Sequence, residues 1–359
     1  MDDLRAMRRA LELAERGRPT VSPNPMVGCV IVADGEVVGE GWHHVAGGPH
    51  AEIVALQAAG DRARGATVYI TLEPCTHTGR TPPCVDALIR AAVGRVVIAC
   101  LDPNPVAAGG ADALRGAGVA VDVGLLRDEA AGQNQIFLHG VRLRRPFVRL
   151  KGAVSLDGRV TAADGSSKWL TGASARRHAH ELRAQVDAIV VGSGTVLADD
   201  PELTVRLDGW TGPQPLRVVL DGRARTPVHS RVYDRAAPSL AVVTPGARDQ
   251  VLRDAGIPVS EVKTGADGRS DPHAVLDVLW ERGVRSILVE GGPAVFTSFV
   301  AAGSFDRLVL YVAPLLLGDR GLALLAAGPP TLDQAERLVL HGVEHVGDDA
   351  VLHLGRREG

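Results

Sequence analysis

Pro49-His50-Ala51-Glu52 and, further on, Leu72-Glu73-Pro74-Cys75-Thr76-His77-Thr78-Gly79-Arg80-Thr81-Pro82-Pro83-Cys84 decide how the first half of this chain must fold. Together they supply one imidazole, two thiols and a carboxylate with no evident structural duty. Zinc takes His nitrogen and Cys sulfur, and a catalytic zinc keeps three protein ligands so that water can fill the fourth position. His50, Cys75 and Cys84 make such a set. Zinc bound in this way lowers the pKa of its water from ~15.7 to ~7. Glu52 is then free to move protons. A structural zinc site closed by His77 as fourth ligand is the alternative, and it leaves Glu52 unexplained.

Spacing turns these residues into a structural expectation. Side chains at i and i+2 in mid-helix point to nearly opposite faces. His50 and Glu52 must therefore open a helix, expected over Ile53 to Ala59, where side chains can reach over its end. Cys75 follows the strand-like run 66–72, and Cys84 stands at the start of a second helix, Val85 to Ala92. Two helix N-termini facing the metal would favour thiolate over thiol. Cys29 and Cys100 read as small buried hydrophobes.

Composition excludes several functions. The chain has 359 residues, 45% hydrophobic and 23% charged, enough for two domains with sizeable cores. A net charge of −3 gives no electrostatic footprint for a polyanion, and 3% aromatic residues leave few platforms for stacking bases. Nucleic acid is therefore not an expected partner. Four cysteines do not make a disulfide framework. Met1 to Arg5 has no apolar signal core, and no apolar run approaches the ~18 residues of a membrane span. The expectation is a cytoplasmic protein without a membrane partner.

Strands and helices alternate outward from the metal segments. Asp3 to Arg16 is expected to be helical, and Met26 to Ala33 with Val37 to Gly41 form a hairpin across Asp34-Gly35. Strand Arg95 to Ala99, a Pro/Gly loop, a short helix, strand Val119 to Val123 and helix Leu125 to His139 follow. Such alternation implies α/β layers with sites at strand C-terminal ends. Arg142 to Pro146 reads as a linker between domains 1–143 and 146–359. Beyond it, strand Phe147 to Val154 precedes the turn Leu156-Asp157-Gly158, and strand Ala188 to Gly192 runs into Ser193-Gly194-Thr195. Strand Arg285 to Val289 runs into Glu290-Gly291-Gly292-Pro293. Glycines opening a helix let phosphate approach backbone amides, although a simple tight turn explains them equally. Asp199 to Arg206 reads either as a ligand-binding segment or as a solvated loop. Arg183 and Arg206 are phosphate forks or surface charges.

The pattern His-x-Glu…Pro-Cys is similar to that of zinc-dependent nucleobase deaminases, in which the Glu is an acid/base and not a ligand. The eight-residue gap between Cys75 and Cys84 departs from the usual two and is specific to a narrower family. With Pro23-Asn24-Pro25-Met26-Val27-Gly28, Gly41-Trp42-His43, Lys151, Ser155-Leu156-Asp157-Gly158, Ser167-Lys168-Trp169-Leu170-Thr171, Asp199-Asp200-Pro201, Leu203-Thr204-Val205-Arg206 and Glu290-Gly291-Gly292, nearly the whole chain resembles the bifunctional deaminase/reductases of riboflavin biosynthesis.

The resemblance implies an α/β chain, with a cytidine-deaminase-like three-layer domain followed by a dihydrofolate-reductase-like domain. It implies zinc at His50, Cys75 and Cys84, Glu52 as catalytic proton carrier, and Asn24, His43 and Arg80 on the pyrimidine substrate. It places NADPH against Ala153, Trp169, Thr195, Asp199, Gly292, Pro293, Ala294, Val295, Phe296, Thr297 and Ser298. Ser167, Arg183, Leu203, Arg206 and Glu290 would hold the ribosyl phosphate substrate. The implied reactions are hydrolytic deamination of 2,5-diamino-6-ribosylamino-4(3H)-pyrimidinone 5′-phosphate, then NADPH-dependent reduction of the ribosyl group to ribityl. A homo-oligomer, dimer or tetramer, is expected. Arg80 stands where the family often has Lys, and Ser166 where it often has Glu. Two rivals remain: a nucleoside or tRNA deaminase with an unrelated C-terminal domain, and a zinc-stabilised binding module.

Overall fold

In a computed structural model, which describes residues 1–78 and 82–357, the chain divides into two units, Met1–Arg144 and Arg145–Gly359. In the first unit the strands alternate apolar side chains to both faces, so helices must cover both. The elements are α1 (Asp3–Glu15), β1 (Gly28–Ala33), β2 (Glu36–Trp42), α2 (Ala51–Ala59), β3 (Thr67–Leu72), α3 (Cys84–Arg90), β4 (Arg95–Cys100), α4 (Gly110–Gly116), β5 (Ala120–Val123), α5 (Arg127–Gln133) and α6 (Gln135–Leu143). The sheet order is β2-β1-β3-β4-β5, antiparallel through β2-β1-β3 and parallel from β3 to β5.

Ile31, Val68, Ile70, Val96 and Ile98 pack under α2, α3 and α4. Val30, Tyr69, Val97 and Ala99 pack on the other face, against Met7, Ala10, Leu11 and Leu13 of α1 and Ala130 of α5. The result is a three-layer sandwich. Asp2 caps α1 by accepting the Arg5 N–H. A Cβ on Gly41 would lie 2.4 Å from the Ala51 carbonyl, so only glycine lets α2 lie this close to β2.

The helix expected over Leu125 to His139 is in fact two. It breaks at Asn134, whose buried amide donates to the Met26 carbonyl and accepts the Met26 N–H, both at 2.8 Å. Asn side chains compete with helical backbone for hydrogen bonds. Here the partner is a distant loop. The expected linker is also shorter than its composition suggests. Helix α6 runs to Leu143, and Arg145 already belongs to the second unit through a bidentate pair with Asp306, at 2.7 and 3.0 Å.

The second unit contains β6 (Phe147–Ser155), α7 (Ala173–Arg183), β7 (Ala188–Gly192), α8 (Ser193–Asp199), β8 (Leu216–Leu220), β9 (Ser239–Val243), α9 (Gln250–Asp254), β10 (Val259–Glu261), α10 (Pro272–Glu281), β11 (Ser286–Val289), α11 (Pro293–Ala301), β12 (Arg307–Ala313), β13 (Leu338–Val346) and β14 (Asp349–Arg356). They build a nine-stranded sheet of order β10-β9-β8-β7-β11-β6-β12-β14-β13. The seven strands from β10 to β12 run parallel, and β14 and β13 close the sheet as an antiparallel hairpin. One face packs against α10 and α11, the other against α7 and α8.

Candidate functional site

In the first unit the metal donors come from three elements. His50 caps the N-terminus of α2, Cys75 follows β3, and Cys84 is the first residue of α3. His50 Nδ1 lies 3.2 Å from Cys84 Sγ and 3.6 Å from Cys75 Sγ, and all three donor atoms fall within 4.8 Å of one another. With Zn–N near 2.0–2.1 Å and Zn–S near 2.3 Å, the edges of a tetrahedral site are about 3.6 Å. The donor set is of the kind and size that zinc takes. Among the described residues no fourth protein donor joins this group, and His77 stands outside it. That is the ligand count of a catalytic site.

The Cys75 loop is fixed from below. Glu73 accepts the N–H groups of Asp102 and Ala111, and Thr76 bonds the carbonyls of Ala107 and Ala108. A Cβ on Gly110 would fall 2.0 Å from the Pro74 carbonyl, so glycine is required where α4 begins. A hydrogen bond from Cys84 pulls the Cys75 thiol down, and the same contact pushes Cys84 up.

Glu52 is buried at 3% exposure, and burial raises its carboxyl above the ordinary range. Asn24 Nδ2 lies 3.1 Å from His43 Nε2, while His43 Nδ1 contacts the Pro49 carbonyl at 3.0 Å. The His43 ring meets His50 edge to face at 5.5 Å. Asn24 and His43 therefore adjoin the metal donors. Arg80 lies outside the described residues.

In the second unit the expected ligand residues gather at the C-terminal ends of β6, β7 and β11. Ala153 lies on β6, Thr195 in the first turn of α8, and Gly292 caps α11. A Cβ on Gly292 would be 3.6 Å from Thr195 Oγ1, so the starts of α8 and α11 are neighbours. Asp199 pairs with Lys168 at 3.6 Å, and exposed Trp169 stacks under Arg176 at 4.4 Å. The stretch from Gly292 to Ser298 divides. Gly292, Pro293 and Ala294 form the helix opening, whereas Val295 and Phe296 turn into the core. Thr297 accepts the Ala326 N–H, and Ser298 bonds Asp267.

Arg183 is no surface charge. It makes a bidentate pair with buried Glu290 at 2.6 and 2.8 Å and donates to the Thr204 carbonyl. Burial opposes the Glu290 charge, but Arg183 outweighs it and holds the carboxyl at about 2. Lys151 is pushed down by burial and lies 5.1 Å from the Tyr311 ring. Leu203, at φ 53, Thr204 and Val205 are buried, so 199–206 is not a solvated loop. Arg206 pairs with Glu202, and its N–H donates to His180 Nδ1 at 3.2 Å. Ser167 is exposed in the β6–α7 connection. Ser166 closes a turn on Asp164 through its N–H and hydroxyl, which gives this residue a local duty.

Comparison with known proteins joins the two sites. The cytidine and deoxycytidylate deaminase zinc-binding region matches residues 1–100, and the RibD C-terminal domain matches 146–352. Riboflavin biosynthesis protein RibD of Escherichia coli strain K12 is 46% identical over 371 aligned positions, covering 99% of each chain. The structure of Acinetobacter baumannii RibD (form 1) superposes with a TM-score of 0.90 at 41% identity, covering 99% of each chain. The chain belongs to the RibD family.

A diaminohydroxyphosphoribosylaminopyrimidine deaminase/5-amino-6-(5-phosphoribosylamino)uracil reductase from Thermotoga maritima matches with a TM-score of 0.89 at 35% identity, over 99% of this chain and 98% of that one. RibD proteins are bifunctional enzymes of riboflavin biosynthesis, and this chain carries their deaminase and reductase. Its cytidine-deaminase-like domain holds the zinc site at His50, Cys75 and Cys84, and its dihydrofolate-reductase-like domain is of a family that uses NAD(P)H. The second half is thus no unrelated appendage. The sequence gives no signal for His180 or Arg231, which with Arg217 contact the 199–206 segment. Arg217 on β8 was the one available signal, a lone arginine within an apolar strand.

Proposed function

We propose that the first domain deaminates 2,5-diamino-6-ribosylamino-4(3H)-pyrimidinone 5′-phosphate and that the second reduces the product with NADPH to 5-amino-6-(5-phosphoribitylamino)uracil. The observation carrying this reading is the buried Glu52 beside three convergent zinc donors, in a chain whose other unit holds the Arg183–Glu290 site. Zinc, when bound, supplies Lewis acidity that brings a water's pKa to about 7. Glu52 would take a proton from the attacking water at a carboxylate oxygen and return it to the departing amine, so that water enters and ammonia leaves. His43, its Nδ1 engaged by the Pro49 carbonyl, and Asn24 orient the pyrimidine. Arg80 is assigned to the substrate on resemblance alone.

In the second domain Ala153, Trp169, Thr195, Asp199 and the helix opening from Gly292 hold NADPH, since a helix N-terminus favours phosphate. Val295, Phe296, Thr297 and Ser298 support that opening from within the fold, the first two by core packing. Ser167, Arg183, Leu203, Arg206 and Glu290 hold the ribosyl phosphate substrate, with Arg206 at its phosphate. The domains divide at 143–146. Exposed Leu340 and Val343 on the edge strand β13 support a homo-oligomer. No helix among the described residues is long and apolar enough to cross a membrane. Cys29 and Cys100, thiols outside the zinc set, support a cytoplasmic setting. A coupled assay tests the whole reading: ammonia release followed by NADPH oxidation from the diamino substrate. Ammonia release without NADPH oxidation would refute the second step.

A further inference from the structure

Glu202 lies between two arginines. One carboxylate oxygen meets Arg206 Nη1 and the other meets Arg231 Nη2. The two contacts are not equivalent. Arg217 is fully buried, and its Nη1 donates to the carbonyls of Glu202 (3.3 Å) and Arg231 (3.0 Å) and to Asp234 Oδ1 (2.8 Å). The Arg231 N–H is held by Asp200 Oδ1 at 2.8 Å. The backbones of Glu202 and Arg231 are therefore both held by one buried arginine of β8, which keeps the two residues side by side. Both guanidinium arms are about equally exposed, 52% of the side chain for Arg206 and 54% for Arg231, so what distinguishes Arg231 is its anchored backbone. Partial burial and Arg183 both work against the Arg206 charge, so Arg206 gains from any nearby anion.

We propose that Glu202 is a fixed counter-anion that competes with the substrate's phosphate for Arg206, and so limits how tightly the reductase site holds phosphorylated ligands. This rests on Arg206 being a phosphate contact, as assigned above. When phosphate takes Arg206, Glu202 stays neutralised by Arg231, so the hand-over strands no carboxylate without a partner. The arrangement weakens binding without removing the recognising arginine, which lets the phosphorylated product leave.

The test uses the full-length enzyme and 5-amino-6-(5-phosphoribosylamino)uracil. Glu202→Gln lowers KM for this substrate about two- to five-fold, the scale of an exposed ion pair. It leaves the KM for NADPH and for the dephosphorylated substrate unchanged, and Glu202→Asp restores the native value. Arg231→Gln acts in the opposite direction, raising KM, because Glu202 then serves Arg206 alone. An unchanged or raised KM in Glu202→Gln, or an equal shift with the dephosphorylated compound, overturns the proposal. Arg206→Ala separates the two levels. If it raises KM while Glu202→Gln changes nothing, only the role of Glu202 fails. If Arg206→Ala leaves KM untouched, the phosphate assignment fails and takes the proposal with it.

Discussion

A carboxylate buried at 3% exposure with no arginine or lysine partner among the described residues is costly, and Glu52 is such a group. Its burial makes sense if it moves protons beside the metal. Glu52→Gln keeps the shape and the three donors, so zinc content should stay at one per chain while deamination falls by about 10²–10⁴-fold. Metal analysis alongside ammonia release checks this, and near-normal turnover in the zinc-loaded variant removes Glu52 from the mechanism. Arg183 presents the opposite case. Removing it deprives the largely buried Glu290 carboxylate of its hydrogen-bonded partner, which costs about 3–5 kcal/mol, so Arg183→Ala should lower the unfolding midpoint as well as activity. His180 adds a pH dependence. Burial, then Arg183 and Arg206, pull its pKa from 6.5 to about 4. The unfolded chain then binds a proton that the folded chain refuses between those values. Stability from this group is complete above about pH 6.5 and is lost as pH falls toward 4. His180→Asn, which keeps an acceptor for the Arg206 N–H, should flatten that part of a stability–pH curve. An unchanged curve would show that His180 titrates normally.

At the scale of elements, Asn134 links the architecture to the site. By breaking the helical run into α5 and α6 it ties both backbone groups of Met26, two residues from Asn24. Asn134→Ala leaves that N–H and carbonyl without partners, at about 1–3 kcal/mol for each group. The deaminase unit should therefore lose roughly 2–6 kcal/mol in denaturant unfolding, and KM for the pyrimidine should rise as Asn24 loosens. A variant of native stability would mean that water replaces the amide. This break also marks the limit of what the sequence could tell. The strand and the two helices that present the zinc donors were legible because their apolar patterning is local, and the metal set because donor chemistry is written in residue type. Asn134 was not, since its partner lies 108 positions away. Nor was the Arg217–Glu202–Arg231 cluster, which joins three separated segments. Strand β13 escaped for another reason: it exposes Val339, Leu340 and Val343, and shows no inside–outside period.

At the scale of the whole molecule, the two chemistries draw on separate donor sets. Among the described residues the only His, Cys, Asp and Glu group with metal-binding spacing is His50, Cys75 and Cys84, all in the unit Met1–Arg144. The Arg183–Glu290 pair and the openings of α8 and α11 lie in the unit Arg145–Gly359. Zinc can contribute about 10–16 kcal/mol to the folding of small metal-dependent units. The first unit does not have to rely on it, because its sheet is covered on both faces by apolar clusters. A strong chelator should therefore abolish ammonia release while NADPH-dependent reduction of directly supplied 5-amino-6-(5-phosphoribosylamino)uracil continues nearly unchanged. Following NADPH absorbance with and without chelator, on that deaminated substrate, isolates the second activity from the first. Reduction that falls in step with zinc content would mean that folding of the second unit depends on the metal held by the first, and the division of labour proposed here would not stand.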